Sequence, residues 1–392
     1  MNRLVAIVLA LMFPWLTGCR SPGLHGDRGF YPLGLYGVNS TNDFATVRAA
    51  GFNLITGPAE RGFLDAARAQ GLKVLASPGT AAGPDFDPAR ARQTVRHFDA
   101  HPALWAWYLV DEPDFNGISP QQVNAAERAV KSVGPAKPTA LVIYQGYQAQ
   151  YYARLTDILM VDRYPIPWLP LANFGQHVEM ARLAAPAKRP LIAVLQAFDW
   201  SCFPEVLPGE TGLRPPTYDE LRCMTYEALA RGANGLFFFA YEAGGWKIRD
   251  HPETWSALQR IAAEVNARRP LFQAQHCWWA RSHVFGDPKL RFNAALQSSV
   301  TSCRLRVRAG NDAVPPGDYI LAVNNTAERQ TYSFTVPADA ARGGRGKANG
   351  GAAPRAGEVS VVGEERAVAL RRAGWITDEY APYAVHVYGP LW

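Results

Sequence analysis

The sequence has few of the features that mark several common protein classes. Only 19% of its residues are charged, the formal net charge is +6, and the basic residues are scattered without a nucleic-acid-binding motif. A nucleic-acid partner is therefore not expected. No Cys-x-x-Cys spacing occurs among the five cysteines, and no Gly-x-Gly-x-x-Gly follows the first apolar segment. The sequence thus predicts neither a metal site nor a bound cofactor.

One apolar run near the start of the chain is too short to cross a membrane, because a spanning helix needs about 20 apolar residues. It extends from Leu4 to Leu16, follows Arg3, and leads into Leu-Thr-Gly-Cys at positions 16–19. A basic start, a short apolar run and small residues before a cysteine are typical of a lipoprotein signal. We predict a signal peptide at 1–18, with a plain signal peptide or a buried strand as the alternatives.

Removal of that signal would leave Cys19 as a lipidated N-terminus, followed by a linker at 19–30. Arg20, rather than Asp, follows this cysteine. By resemblance to Gram-negative lipoproteins, this residue indicates the outer membrane. The predicted location is therefore the cell envelope, with the protein attached to the membrane through Cys19.

Four further cysteines in an exported protein permit two disulfides, and four cysteines allow three pairings. The pairing of Cys202 with Cys223 and of Cys277 with Cys303 is favoured. Each bridge would then stay within one predicted structural unit.

Short apolar runs alternate with longer amphipathic segments over most of the chain, which is the pattern of repeated βα units. Eight predicted strands lie at 35–39, 52–57, 73–77, 104–111, 139–145, 158–164, 191–198 and 235–241. Predicted helices lie at 43–50, 61–70, 89–100, 120–133, 174–185, 218–231 and 253–269. This α/β alternation predicts a (β/α)8 TIM barrel over 31–272. A doubly wound sheet is the alternative, but its phosphate-binding glycines are missing.

After residue 272 the pattern changes to short β-type runs separated by turn residues. These runs lie at 277–284, 290–295, 303–308, 319–324, 331–336, 358–362 and 384–388. They predict a C-terminal antiparallel β-sandwich at 273–392. The stretch 338–357 is rich in Gly, Ala and Arg without apolar periodicity, so a flexible loop is expected there.

The fourth predicted strand ends in two carboxylates and a proline: Leu-Trp-Ala-Trp-Tyr-Leu-Val from Leu104, then Asp111, Glu112 and Pro113. In parallel barrels the strands are buried and the chemistry collects at their carboxyl ends. Pro113 restricts Glu112 to an extended backbone and is expected to end the strand. Because no Arg or Lys stands near them in sequence, Asp111 and Glu112 are candidate catalytic groups, with an ion pair or cap as the alternative.

Other predicted strand ends carry polar and aromatic side chains that would face the same mouth. They are Asn39, Tyr144, Gln145, Asp162, Tyr164, Gln196, Trp200, Tyr241, Glu242 and Trp246. Hydrogen-bonding groups set among aromatic rings suit a carbohydrate better than a phosphate or a metal. The mouth is therefore predicted to bind a sugar substrate.

With Glu112 at the end of the fourth strand, the chain from Tyr31 to Phe272 resembles the glycoside hydrolase superfamily of TIM barrels. In that superfamily the general acid is a Glu at this position, and a β-sandwich often follows the barrel. The resemblance implies a glycoside hydrolase acting on a polysaccharide or another glycan, with Glu112 as general acid/base.

The chain departs from the superfamily at strand seven, where the commonest retaining clan has a nucleophilic Glu and this sequence has Gln196. An amide cannot form the glycosyl ester of a double displacement. The Asp111–Glu112 pair is instead similar to that of the family 20 and family 123 hexosaminidases. That similarity implies a nucleophilic 2-acetamido group on the substrate, oriented by Asp111 and held by Tyr164 or Tyr241.

Two alternatives to this substrate-assisted reaction stay open. Glu112 could work with Asp162 or Glu242, retaining or inverting the anomeric centre according to the separation of the two carboxylates. Catalysis could also be lost, leaving a lipid-anchored glycan-binding protein on a barrel scaffold. Consecutive strand residues point to opposite faces, so Asp111 and Glu112 can share one pocket only if the backbone leaves regular strand geometry.

Overall fold

The computed structural model describes residues 29–277, 299–336, 357–371 and 374–391. Several predicted features lie wholly or almost wholly outside these residues: the signal peptide, Cys19, the linker, the strand at 290–295, most of the strand at 277–284 and the loop at 338–357. Within the described segments, no helix is long and apolar enough to span a bilayer.

Eight parallel strands close into a barrel in sequence order, with the first strand paired to the eighth. They are β1 Leu33–Leu35, β2 Leu54–Gly57, β3 Lys73–Ala76, β4 Leu104–Tyr108, β5 Thr139–Ile143, β6 Ile158–Arg163, β7 Leu191–Gln196 and β8 Gly235–Phe239. Closure of this sheet confirms the predicted TIM barrel and excludes the doubly wound alternative.

Helices follow the barrel strands, and three of them begin at a side-chain cap. They are α1 Phe44–Ala49, α2 Arg61–Ala69, α3 Pro88–Phe98, α4 Pro120–Lys131, α5 Ala149–Tyr152, α6 Leu171–Ala184, α7 Tyr218–Ala230, α8 Pro252–Ala267 and α9 Arg269–Phe272. The Asp87 carboxylate accepts from two backbone N–H groups at the start of α3. Ser119 and Thr217 form capping boxes with Gln122 and Glu220. These caps satisfy backbone donors that have no partner within a helix.

The C-terminal part of the chain forms antiparallel sheets, as predicted. Strands β11 Gln275–Cys277, β12 Val300–Val307, β13 Gly317–Asn324 and β18 Val385–Tyr388 make a four-stranded sheet. Strands β14 Gln330–Thr335 and β17 Trp375–Tyr380 pair with each other, as do β15 Glu358–Ser360 and β16 Ala367–Ala369. A further hairpin, β9 Glu242–Ala243 with β10 Trp246–Lys247, follows the last barrel strand.

Strand β13 is buried on both faces of the four-stranded sheet. Leu321 and Val323 belong to the core that includes the barrel helices. Ile320 and Ala322 belong to a second core, which Phe334 and Ile376 of β14 and β17 help to form. The alternation with a period of two residues therefore places one sheet face against the barrel and the other against the remaining strands.

Neither predicted disulfide is formed by the four cysteines, all of which lie in described segments. The buried Cys223 thiol on α7 instead lies 3.5 Å from the carbonyl oxygen of Asn324. Cys277 is opposite Arg304 in the strand register, so Cys303 projects from the other face of the sheet. Placement within one structural unit was therefore too weak a criterion for pairing, because a disulfide also needs Cβ atoms directed at each other.

Candidate functional site

The fourth strand ends three residues earlier than predicted, at Tyr108. Beyond it, Glu112 has a φ of +40°, in the left-handed region that non-glycine residues rarely adopt. The expectation that Pro113 keeps Glu112 extended is therefore wrong. Because the backbone has left strand geometry, the two adjacent carboxylates are no longer constrained to opposite faces of a sheet.

Asp111 is held by a chain of two tyrosine hydroxyls. The Tyr36 hydroxyl donates to that of Tyr108 over 3.3 Å, and Tyr108 in turn donates to Asp111 Oδ1. Desolvation by the surrounding protein raises the pKa of Asp111, whereas the bond from Tyr108 lowers it. Asp111 is nevertheless exposed at the surface of the mouth, so this oriented carboxylate is accessible to a substrate.

Glu112 interacts with Asp162, which comes from the end of β6. Burial raises the pKa of Glu112 and the charges of Asp111 and Asp114 add to this, while the interaction with the nearby Asp162 carboxyl lowers it. Burial and the nearby Glu112 raise the pKa of Asp162 well above its usual range. Asp162 is only 3% exposed, so desolvation is the main cause of its raised pKa.

Tyr164 links this carboxyl pair to a group of aromatic rings. Its interaction with Asp162, two residues earlier, lowers the pKa of that carboxyl. The Tyr164 ring stacks on Phe239 at 5.5 Å and lies 6.1 Å from Trp200. Asp162 Oδ1 remains buried without a hydrogen-bond partner. An unpaired buried acceptor of this kind is costly unless a ligand or a proton satisfies it.

Asp114 ties the loop that carries Glu112 to the end of the neighbouring strand. Its carboxylate accepts from the backbone N–H groups of Tyr144 at 3.0 Å and of Gln145 at 2.8 Å. The Tyr144 ring lies 5.4 Å from Phe115 and 4.7 Å from the Arg163 guanidinium carbon. Tyr144 thus lies on the rim of the mouth, as predicted, but its interactions are with protein groups.

Gln196 does not face the mouth. Its side chain is fully buried: Oε1 accepts from Ile166 N at 2.8 Å, and Nε2 donates to the carbonyls of Ile166 at 2.9 Å and Phe198 at 3.2 Å. The expectation that Gln196 binds substrate is therefore wrong. Gln196 instead holds the loop that follows β6.

Three predicted binding residues beyond β8 also have other roles. Trp246 is fully buried and donates from Nε1 to the Ala240 carbonyl at 2.9 Å, so it is a core residue. Tyr241 is 4% exposed. Burial is the main cause of its raised pKa, and the nearby Asp43 carboxylate raises that pKa further. Glu242 Oε1 accepts from Arg249 at 3.0 Å. Asp162, rather than Glu242, is therefore the carboxyl that reaches Glu112.

The remaining predicted residues lie at the mouth to different degrees. Asn39 is exposed on the loop after β1, Gln145 is half-buried, and half-buried Trp200 is in contact with Tyr164. Within the described segments, no group of three or more His, Cys, Asp or Glu residues has the arrangement of a metal site.

The sequence analysis missed Tyr36, Tyr108 and Asp114. Tyr36 directly follows β1, but the first strand was placed two residues too late, which hid its position at the strand end. Tyr108 was treated as strand interior although it closes β4 three residues before Asp111. A tyrosine at the end of a barrel strand, followed closely by a carboxylate, is the signal that would have found it.

The closed barrel thus carries three carboxyl groups, Asp111, Glu112 and Asp162, at the carboxyl ends of its fourth and sixth strands. No protein-family model matches the chain, and no curated protein matches it by sequence. Solved structures with a similar fold are nevertheless glycoside hydrolases.

One such structure is described as a glycoside hydrolase, with a TM-score of 0.54, 11% identity and coverage of 92% of both chains. A family 5 glycoside hydrolase from Bacteroides vulgatus has a TM-score of 0.53 and 11% identity, covering 92% of this chain and 89% of that one. An α-amylase from Geobacillus thermoleovorans has a TM-score of 0.52 and 11% identity, with coverage of 89% and 90%. At these identities the similarity establishes the fold.

Proposed function

We propose that the protein is an exported, lipid-anchored glycoside hydrolase that cleaves a polysaccharide or another glycan, with Glu112 as general acid/base. The observation that carries this proposal is the position of Glu112 at the barrel mouth. Its carboxyl group interacts with Asp162, adjoins Asp111, and has a raised pKa because of burial and neighbouring carboxylates. A general acid needs such a raised pKa to hold its proton near neutral pH.

The geometry favours the substrate-assisted reaction over the other two hydrolytic schemes. Gln196 is buried and engaged with backbone groups, so strand seven offers no nucleophile. Asp162 is only 3% exposed, whereas a two-carboxylate mechanism needs a second carboxylate that is open to the sugar or to a water. Asp111 remains as an exposed carboxylate that can orient a substrate group.

In this reaction the acetamido oxygen of the substrate attacks the anomeric carbon while the Glu112 proton passes to the leaving oxygen, so the glycosidic bond breaks. Asp111, held by Tyr108, orients the acetamido N–H and stabilises the positive charge of the cyclic intermediate. Water then attacks the anomeric carbon and gives a proton to Glu112, while the bond from that carbon to the acetamido oxygen breaks and the acetamido group is restored.

The absence of fixed cations supports an enzyme over a binding protein without activity. Within the described part of the chain, no Arg or Lys forms an ion pair with Asp111 or Glu112. Fixed Arg or Lys partners at Asp111 and Glu112 would instead have favoured a structural role for these carboxylates.

Replacement of Glu112 by Gln tests the assignment. We expect release of reducing ends from a glycan panel that includes N-acetylhexosaminides to fall by about 100- to 10,000-fold, because general acid–base catalysis contributes that much. The exposed Glu365 supplies a matched control, Glu365→Gln, which should retain full turnover. Unchanged turnover in Glu112→Gln would contradict the assignment, and glycan binding without turnover in the unsubstituted protein would favour the binding protein.

Membrane attachment is tested through Cys19. We expect Cys19→Ser to abolish incorporation of labelled palmitate and to move the protein from the membrane fraction to the soluble fraction, because a lipidated cysteine would be the anchor. Equal labelling of both forms would refute lipidation at this residue.

A further inference from the structure

Two tryptophans form an aromatic group on the loops that follow β6 and β7. Trp168 is 44% exposed, and its ring lies 6.2 Å from that of Trp200 at an interplanar angle of 41°. An indole with almost half of its surface in water loses favourable burial, and exposed aromatic surface beside a cleft often marks a binding site. We call Trp168 and Trp200 the indole pair.

The indole pair is continuous with the candidate site. Trp200 lies 6.1 Å from the Tyr164 ring. Tyr164 directly follows the strand that carries Asp162, and Asp162 interacts electrostatically with Tyr164 and Glu112. A ligand that occupies the pocket at Glu112 and extends along this side of the mouth would therefore meet the Trp168 ring next.

The loop that carries Trp168 is held in place by Gln196. The Gln196 amide bonds both the N–H and the carbonyl of Ile166, two residues before Trp168. The Leu169 N–H also donates to the Pro165 carbonyl at 2.8 Å. A rigid loop presents an aromatic ring with little loss of conformational freedom on binding, which favours affinity.

The Trp200 side chain provides an independent sign of a ligand. Its Nε1 atom is buried and has no hydrogen-bond partner among the described residues. Buried indole N–H groups usually have a partner, and an unsatisfied donor costs stability. A polar ligand group in this part of the mouth would satisfy it.

We propose that Trp168 stacks on a sugar ring of the substrate adjacent to the one held at Glu112, so that the substrate is a chain of at least two neutral sugars. This inference rests on the proposed function. The apolar face of a pyranose matches an indole ring, whereas its hydroxyl edge can accept from the Trp200 N–H.

The test measures calorimetric binding in the Glu112→Gln background, which prevents turnover. The probes are the β-1,4-linked hexasaccharides of N-acetylglucosamine and glucose, the α-1,4-linked hexasaccharide of glucose, and the two monosaccharides. We expect at least one hexasaccharide to bind, and Trp168→Ala to weaken that binding about tenfold while monosaccharide binding stays unchanged. Trp168→Phe should retain most of the affinity, which separates loss of stacking from misfolding.

Trp375 supplies a matched control because it is 42% exposed but lies on β17 of the C-terminal sheets. Trp375→Ala should leave hexasaccharide binding unchanged. The inference is overturned if none of the hexasaccharides binds, or if Trp168→Ala and Trp375→Ala bind equally well. If binding depends on Trp168 but the unsubstituted protein does not hydrolyse the glycan, only the proposed function is overturned. If the protein hydrolyses the glycan equally well without Trp168, only this inference is overturned.

Discussion

At the scale of single residues, Glu112 has a backbone conformation that its sequence neighbours disfavour. A residue before proline is normally extended, yet Glu112 has a φ of +40°. Such a conformation in a non-glycine residue costs about 1–3 kcal/mol and persists only where the surrounding structure compensates for it. The bond from the Asn116 side chain to the Asp111 carbonyl at 3.1 Å and the bonds to Asp114 hold this turn.

Glu127 on α4 is a second residue with an unusual environment. It lies away from the mouth, near Lys131, Asp157 and Arg189, and its Oε2 atom is buried without a partner. Burial raises its pKa from 4.5 to about 7. The interaction with Thr139 and the positive charges of Lys131 and Arg189 act in the opposite direction and lower the pKa. The folded protein therefore holds the Glu127 proton more tightly than the unfolded chain does.

This difference predicts a pH-dependent stability. The Glu127 contribution is fully present below pH 4.5 and is lost as the pH rises through about 7, so ionisation costs up to about 3 kcal/mol at pH 8. At pH 8 we expect Glu127→Gln to have a higher free energy of unfolding than the unsubstituted protein, as measured by urea denaturation. At pH 4.5 the difference between the two proteins should be smaller. A difference that does not change with pH, or one equal to that of Glu365→Gln, would contradict this prediction.

At the scale of secondary-structure elements, all eight barrel strands begin within two residues of their predicted positions, but most end earlier than predicted. The apolar pattern continues past the hydrogen-bonded strand because loops bury the next residues as well. Leu109, Val110 and Phe198 are examples, each less than 5% exposed. Residue hydrophobicity records burial rather than strand pairing, so the carboxyl ends of the strands were the least predictable boundaries.

The short helices α5 and α9, the hairpin of β9 and β10, and the strands β16 and β17 were missed. The sequence of β17, Trp-Ile-Thr-Asp-Glu-Tyr, carries two carboxylates and has only two buried residues. Such a half-exposed strand at the edge of a core has a weak apolar signal.

Gln196 yields a prediction about the end of β7. Gln196→Glu would restore the carboxylate of the commonest retaining clan, but Nε2 donates to two carbonyl oxygens that a carboxylate would repel. We expect a loss of about 2–4 kcal/mol in the free energy of unfolding and no gain of hydrolysis. The loss should be greater at pH 8 than at pH 5, since burial favours the protonated carboxyl. A fully stable Gln196→Glu variant with increased turnover would refute this role.

At the scale of the whole molecule, α7 connects the barrel to the C-terminal sheets. Ten of its 13 residues are buried, because the barrel covers one side and the four-stranded sheet covers the other. Glu227 is fully buried there, with Arg231 Nε at 3.2 Å and Asn325 Nδ2 at 3.1 Å. A local ion pair at the end of α7 and a hydrogen bond from the C-terminal part thus meet at one carboxylate.

Removal of this carboxylate should destabilise both parts together. We expect Glu227→Ala to lower the free energy of unfolding by about 3–5 kcal/mol, because it leaves the buried Arg231 with less compensation. Calorimetry would detect a lower Tm for the entire transition. Glu179→Ala removes the second carboxylate that pairs with Arg231. Because Glu179 is not fully buried, this substitution should lower the free energy of unfolding by a smaller amount. An equal loss for both substitutions would contradict this account.

The order and type of the barrel elements, and the position of Asp111 and Glu112 just beyond the fourth strand, could be predicted from the sequence. These features depend on apolar periodicity, helix caps and turn residues, which act between residues close in the chain. The approach of Asp162 to Glu112, the burial of Gln196 and Trp246, and the exposure of Trp168 could be known only from the folded chain. Those outcomes depend on where side chains from distant segments point once the barrel closes, and a shift of one residue in a strand reverses that direction.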